Sequence, residues 1–120
     1  MRNPFTMHCI AWQSGAPLLQ EVRAAACGIG LMNQSEVLPD DMDERSRHAL
    51  ALGTNGRGIG CARITPEGRI ERMAVLPHEQ RTQIEAALIE VLNDYAHENK
   101  RAKTTVVKTK RKSQLSRIGA

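Results

Sequence analysis

Two tight turns divide residues 47–76 into three short segments, and they constrain the fold more than any other feature of the chain. Asn55-Gly56 is a strong hairpin signal, because it supplies the two residues with positive φ that a type I′ turn requires. The second turn is predicted at residues 65–68, where Pro66 and Gly68 lie close together. We therefore predict an antiparallel meander of three strands, at residues 48–52, 59–64 and 69–76.

The third of these strands does not follow a strict alternation of apolar and polar residues. Side chains on one face of a strand are two residues apart, so Ile70 shares a face with neither Met73 nor Val75. All three can pack inward only if a β-bulge or a change of register intervenes. An irregularity between Ile70 and Met73 is therefore expected.

The residues before the meander predict a strand followed by a helix. Residues 5–12 have strand-forming content, and Ser14 followed by Pro17 indicates the start of a helix. The glycines of the stretch 27–30 end this helix. A polar, acidic connection then spans residues 31–46, and a connection of that length is typically functional or mobile. Its carboxylates either attract a cationic amine or are solvated loop charges.

After the meander the apolar period changes from that of a strand to that of a helix. Pro77 ends the third strand, and a helix is predicted from Gln80 to about His97. Residues 104–109 are expected to form a last strand, and residues 113–118 resemble the beginning of another helix. This order of elements predicts an α+β domain, with helices packed on a mainly antiparallel sheet.

Length and composition favour one domain of 120 residues in a reducing cytoplasm. The three cysteines form no CxxC pair, and they have no metal-ligand spacing with the histidines, so we predict no metal and expect the cysteines to pack as small apolar residues. No signal peptide or membrane-spanning segment is evident. The only aromatic residues are Phe5, Trp12 and Tyr95, which argues against a sheet that stacks nucleic-acid bases.

The charges divide the chain into a mildly acidic body and a basic end. Residues 1–98 carry 9 basic and 13 acidic groups, whereas residues 99–120 carry 8 basic groups and no acid. Three interpretations of this basic C-terminal segment remain open. It steers a polyanionic ligand, binds nucleic acid without sequence preference, or is a solvated terminus.

The run Arg72-Met-Ala-Val-Leu-Pro77, followed by an amphipathic helix, resembles the GNAT superfamily of acyl-CoA N-acyltransferases. The stretches 46–52 and 60–64 extend the resemblance, which is closest to the small bacterial ElaA-like branch. The resemblance implies a single GNAT-like domain over residues 1–120 that acetylates an amine of a small molecule or peptide with acetyl-CoA as co-substrate. It also implies a C-terminal truncation, since two further strands would be expected after residue 120.

In this family the bulged strand offers main-chain groups to the pantetheine arm of the co-substrate, as if an additional strand were joining the sheet. The resemblance assigns these contacts to Met73, Ala74 and Val75. It assigns the pyrophosphate to the turn that follows, which comprises Gln80, Arg81, Thr82, Gln83, Ile84 and Glu85.

Three departures from the family pattern lie in the expected phosphate-binding turn, in the C-terminal segment and in the upstream signatures. Gln83 and Glu85 occupy the two positions where the family has small residues, and Arg81 would compensate as a phosphate ligand. Leu115 stands where relatives carry a Tyr that protonates the departing thiolate. Of the signatures of the ElaA-like branch further upstream, only Asp40 survives.

Two side chains are candidates for the chemistry on the acceptor amine. Glu71 is the candidate general base, and its alternative is a solvent-facing glutamate on a strand. His48 either contacts the substrate or is a hydrogen-bonded structural residue.

Three hypotheses for the function follow. The first is an acetyl-CoA-dependent N-acetyltransferase. The second is a non-catalytic relic or interaction module that has lost efficient binding of coenzyme A, and the third is a basic nucleic-acid-associated protein. We further expect a homodimer through the sheet edge at residues 104–110 or through the C-terminal segment, because an unpaired strand edge tends to be covered.

Overall fold

The structure is a computed structural model, and it describes residues 4–99 and 104–107. The described strands are β1 (Phe5–Ala11), β2 (Arg47–Gly53), β3 (Gly58–Ile64), β4 (Arg69–Val75) and β5 (Thr105–Val106). The described helices are α1 (Trp12–Gly28), α2 (Gln34–Val37), α3 (Asp41–Arg45) and α4 (Arg81–Glu98). None of these helices is long and apolar enough to span a membrane.

The five strands form one mixed sheet in the order β1-β2-β3-β4-β5. The first four are antiparallel to their neighbours, whereas β5 runs parallel to β4. The predicted meander and the α+β class are thus confirmed. Residues 108–120 lie outside the described residues. They include the end of the predicted last strand, the predicted helix at 113–118, most of the basic segment and residues 108–110 of the expected dimer edge.

The turn between β2 and β3 is not the type I′ turn that the sequence predicts. Gly56 has a φ of +79°, but Asn55 does not have a positive φ. The N–H of Gly56 donates to the carbonyl of Gly53 at 3.0 Å, and the N–H of Gly53 donates to the carbonyl of Arg57 at 2.9 Å. This is the three-residue hairpin loop in which a type I turn is followed by a left-handed glycine. Only one residue with positive φ is needed, and glycine supplies it.

Helices cover both faces of the sheet and create two hydrophobic cores. On one face, α4 packs its buried residues Ile84, Leu88 and Leu92 against β2, β3 and β4. On the other face, α1 buries Leu19 and Val22 against the same strands. The connection 31–46, which contains α2 and α3, lies on the α1 side, where Met32 joins the second core.

Close packing between α1 and β3 leaves no space for a side chain at Gly58. A Cβ built at Gly58 would lie 2.5 Å from Cγ2 of Val22 and 3.4 Å from the carbonyl oxygen of Leu18. At Gly28, by contrast, a Cβ would meet nothing within 4 Å. The two glycines therefore form a matched pair that tests how tightly α1 is seated.

We expect Gly58→Ala to lower the free energy of unfolding by about 1–3 kcal/mol, because the methyl group pushes into a packed core. Gly28→Ala should leave it unchanged or raise it slightly, because alanine favours the helix. Urea unfolding followed by circular dichroism measures both. Equal stabilities for the two variants would contradict the packing described for α1 on β3.

Candidate acetyl-transfer site

The bulge expected from the sequence lies in β4, opposite β3. Cys61 pairs with Ala74 and Arg63 pairs with Glu71, so Ala62 alone faces two residues, Arg72 and Met73. Arg72 has a φ of +50° and is the only non-glycine residue with positive φ in residues 4–99 and 104–107. The extra residue reverses which face each later side chain takes. Ile70 and Val75 consequently share the core under α4, as the sequence predicted.

The bulge also decides where the main-chain groups of β4 point. The N–H of Leu76 donates to the carbonyl of Ile59 at 2.8 Å. Leu76 and Ile59 are therefore a hydrogen-bonded pair of the ladder between β3 and β4. In an antiparallel ladder, the main-chain N–H and C=O groups of successive residues point alternately toward and away from the neighbouring strand. The main-chain groups of Ala74 therefore face β3, and those of Met73 and Val75 point away from it. On that outer side the described pairing with β5 covers only Arg69 and Ile70. Within the described residues, β4 therefore has an open outer side beyond Ile70.

Five residues, 76–80, separate the end of β4 from the start of α4. Its first intrahelical hydrogen bond runs from the N–H of Ile84 to the carbonyl of Gln80 at 2.9 Å, and Arg81 donates its N–H to the carbonyl of His78 at 3.1 Å. Helix geometry leaves the N–H groups of Thr82 and Gln83 without an intrahelical acceptor. Of the six residues assigned to the pyrophosphate, Ile84 is completely buried in the core and its N–H is used inside the helix.

The side chains at this helix start include an unsatisfied cationic group. Nη2 of Arg81 is buried and has no hydrogen-bond partner in the part of the chain that the structure describes. A guanidinium next to a helix N-terminus is suited to a phosphate group, so the residues present fit an anionic ligand. Gln83 is exposed and Glu85 is half-buried, in contact with the rest of the protein.

A buried ion-pair network lies on the α1 side of β3 and β4. Arg23 of α1 holds both carboxylate oxygens of Asp43, at 3.0 and 2.7 Å. Arg63 of β3 reaches Asp43 at 3.0 Å, Asp40 at 2.7 Å and Glu71 at 2.5 Å. The carboxylates of Asp40 and Asp43 in the acidic connection are therefore neutralised by arginines of the protein itself. They do not form a free acidic surface for a cationic amine.

A family model for the acetyltransferase (GNAT) domain matches residues 19–115. The chain belongs to the GNAT family. No curated protein sequence matches it significantly. The finer placement in the ElaA-like branch stays a prediction.

Solved structures of acetyltransferases have the same fold as this GNAT domain. An aminoglycoside acetyltransferase from an uncultured soil metagenomic sample is 16% identical, with a TM-score of 0.70 over 97% of this chain and 87% of that one. A ribosomal-protein-alanine N-acetyltransferase from Brucella melitensis is 14% identical, with a TM-score of 0.64 over 96% and 87%. A predicted acetyltransferase from Clostridium acetobutylicum, solved with acetyl-CoA, is 16% identical, with a TM-score of 0.60 over 98% and 90%.

Within the GNAT domain, Glu71 lies at the rim of the ion-pair network. Its Oε2 accepts hydrogen bonds from Nε and Nη2 of Arg63, at 3.0 and 2.5 Å, and its Oε1 is 3.4 Å from Nε of Arg69. The side chain is 20% exposed. Glu71 is thus neither a free solvent-facing glutamate nor an isolated buried acid. Leu115, the residue at the position of the family's Tyr, lies outside the described residues.

His48 does not face a substrate, because its side chain is completely buried. Its Nε2 donates to the carbonyl of Asp43 at 2.9 Å, and its ring centroid is 5.2 Å from that of Trp12. Burial lowers the pKa of His48, although the carbonyl and the charge of Asp43 act in the opposite direction. Of the two interpretations that the sequence leaves open, this geometry agrees with the hydrogen-bonded structural residue, and His48 lies beneath the acidic connection.

The cysteines take no part in the ion-pair network. Cys61 is buried in the core under α1, where burial raises the pKa of its thiol to about 11. Cys9 and Cys27 are half-buried free thiols. No group of three His, Cys, Asp or Glu side chains within residues 4–99 and 104–107 is arranged to hold a metal ion.

The network gives the domain an acid-labile contribution to its stability. Burial raises the pKa of Asp43, but the hydrogen bonds and charge of Arg23, together with Arg63, outweigh burial and bring this pKa down to about 2 from an ordinary value of 3.8. A carboxyl with a depressed pKa stabilises the fold above its unfolded-state pKa. That contribution is lost as the pH falls through the folded-state value.

We expect the free energy of unfolding to fall by about 2 kcal/mol between pH 4 and pH 2 on account of Asp43 alone. Urea unfolding at a series of pH values measures this slope. Asp43→Asn should be less stable at neutral pH and should have a shallower slope in acid, whereas the exposed control Asp41→Asn should keep it. A wild-type stability that is flat in this range, or an unchanged slope in Asp43→Asn, would contradict the assignment.

Proposed function

We propose that this GNAT domain transfers the acetyl group of acetyl-CoA to an amine of a small molecule or peptide. The observation that carries the proposal is the bulge at Arg72, which turns the main chain of Met73 and Val75 away from β3. An extended ligand can pair with these groups as a further strand would. Two structural neighbours are named as an aminoglycoside acetyltransferase and a ribosomal-protein-alanine N-acetyltransferase, and the second name, which specifies transfer to nitrogen, supports this class.

The co-substrate would lie along the outer side of β4 and reach the start of α4. The main chains of Met73 and Val75 would bind its pantetheine arm, and the N–H groups of Thr82 and Gln83 would bind its pyrophosphate. Arg81 would add a charged donor, because its Nη2 has no partner among the described residues. Acetyl-CoA supplies the activated acyl group as a thioester, so the protein itself needs no covalent nucleophile.

Glu71 would act as the base toward the acceptor amine. Both of its oxygens accept hydrogen bonds from guanidinium groups, so direct contact with an ammonium group would displace an arginine. We therefore propose that Glu71 removes the amine proton through an intervening water while Arg63 keeps the carboxylate in place. Arg63 is well suited to hold it, since Asp40 and Asp43 fix its guanidinium from the other side.

Binding of acetyl-CoA separates this proposal from the relic hypothesis, and isothermal titration calorimetry measures it. The wild type should bind, and Arg81→Ala should weaken binding by about 10-fold through loss of a charged phosphate contact. Gln83→Gly should strengthen binding, because it removes a side chain from the helix start. Arg57→Ala, which removes an exposed arginine in the β2–β3 turn, is the matched control. No binding by the wild type would leave the relic hypothesis in place.

The role of Glu71 is tested by the rate of coenzyme A release with the best acceptor from a panel of primary amines. Glu71→Gln keeps the shape of the side chain and a hydrogen-bond acceptor for Arg63. We expect its kcat to fall by about 100-fold or more, because a positioned base contributes a factor of that size. Its affinity for acetyl-CoA should be unchanged.

Glu67→Gln, a change at an exposed glutamate in the turn before β4, is the matched control for this rate measurement. It should have the rate of the wild type. A Glu71→Gln rate equal to that of this control would remove Glu71 as the base.

A further inference from the structure

The side chain of Arg72 leaves the bulge toward the acidic connection. Its Nη1 donates to the carbonyl of Leu38 at 2.6 Å, and its Nη2 is 3.4 Å from the carbonyl of Ser35 and 3.0 Å from Oδ2 of Asp40. One guanidinium thus binds two main-chain carbonyls and a carboxylate from a stretch of six residues. The side chain is only 12% exposed, so these contacts are largely shielded from water.

Asp40 extends these contacts from Arg72 into the fold. Its Oδ1 accepts the N–H of Asp43 and caps α3, and both of its oxygens accept hydrogen bonds from Arg63. Asp43 in turn binds Arg23 of α1. The segment 34–43 shares Arg63 with Glu71, the proposed base toward the acceptor amine, and we therefore call it the acceptor-side segment. It is held by Arg72 of β4 at Ser35, Leu38 and Asp40, and by Arg23 and Arg63 at its C-terminal end.

The backbone of Arg72 shows that the bulge and these contacts depend on one another. A φ of +50° is costly for a residue with a Cβ, and such a conformation persists where surrounding contacts enforce it. If β4 flattened into a regular strand, the side chain of Arg72 would change direction and its three contacts would break. If the acceptor-side segment moved away, the bulge would lose the contacts that offset its strain.

We propose that Arg72 is a positioning residue that couples the acceptor-side segment to the cofactor-binding bulge, so that the two halves of the acetyl-transfer site form together. The proposal rests on the proposed function, because the bulged conformation is the one that offers Met73 and Val75 to acetyl-CoA. Ligand bound at the bulge then stabilises the acceptor-side segment. By linkage, the factor by which ligand favours the fixed form of the acceptor-side segment is also the factor by which fixing that segment raises the affinity for the ligand.

Hydrogen–deuterium exchange of residues 34–43, measured with and without acetyl-CoA, tests the coupling. In the wild type, saturating acetyl-CoA should slow exchange in this segment by about 5-fold or more. Arg72→Gly is the decisive variant, since glycine adopts a φ of +50° without strain and keeps the bulge while the guanidinium is removed. It should still bind acetyl-CoA, about 10-fold more weakly, and its segment should exchange at the same rate with and without ligand.

Two further variants separate coupling from a merely structural role. Arg72→Lys keeps the charge but not the fork that reaches several acceptors, and it should retain part of the ligand effect. Arg57→Ala should behave as the wild type.

Failure of the wild type to bind acetyl-CoA would defeat the proposed function itself. Binding by the wild type without any change of exchange in residues 34–43 would overturn the coupling alone. The coupling would also be overturned if acetyl-CoA slowed exchange of residues 34–43 in Arg72→Gly as much as in the wild type. Should Arg72→Gly fail to fold, the wild-type response and the partial response of Arg72→Lys still decide the question.

Discussion

The single extra residue in β4 is the constraint on which the rest of this site depends. Without it, Val75 would leave the core beneath α4, and α4 would lose part of the surface on which it packs. With it, Ile70 and Val75 share one core, while Ala74 joins the other. The same displacement turns the main chain of Met73 and Val75 outward. Packing of the fold and exposure of ligand-binding groups are therefore consequences of one local irregularity.

The buried ion-pair network holds the other side of the site in place. Charges buried to this extent are costly unless they are paired and hydrogen-bonded, and each carboxylate oxygen of Asp43 accepts hydrogen bonds from arginine or main-chain N–H groups. Removing one member leaves a buried charge without a partner, which typically costs about 3–5 kcal/mol. The network thus fixes the part of the connection around α3, while Leu31, Met32 and Val37 pack the preceding part against the second core.

The sequence predicted the regular parts of the fold because their patterns are local. The spacing of apolar residues predicted the meander and α4, and the failed alternation at Ile70, Met73 and Val75 predicted the bulge. The prediction of a type I′ turn was wrong, because a three-residue loop connects the same two strands with a positive φ at Gly56 alone.

The ion-pair network could not be predicted, since its members are far apart in the sequence. Arg23 lies beside apolar residues of α1 and is buried against Asp43, which is 20 residues away in the sequence. That contact forms only when the chain is folded. Folding also buries His48 beneath the acidic connection. The signal for the network in the sequence was an arginine at a position on the apolar face of α1, the face that also carries Leu19, Val22 and Ala26.

Chemical-shift perturbation of the backbone amides by acetyl-CoA, in a ¹⁵N-labelled sample, tests the central claim most directly. The amides of Met73 and Val75 in the bulged strand and those of Thr82 and Gln83 at the start of α4 should shift together on titration. Amides of β1, at the far edge of the described sheet, should not shift. Saturable binding with no change at Met73 and Val75 would show that the bulge is not the cofactor-binding element, and would contradict the account.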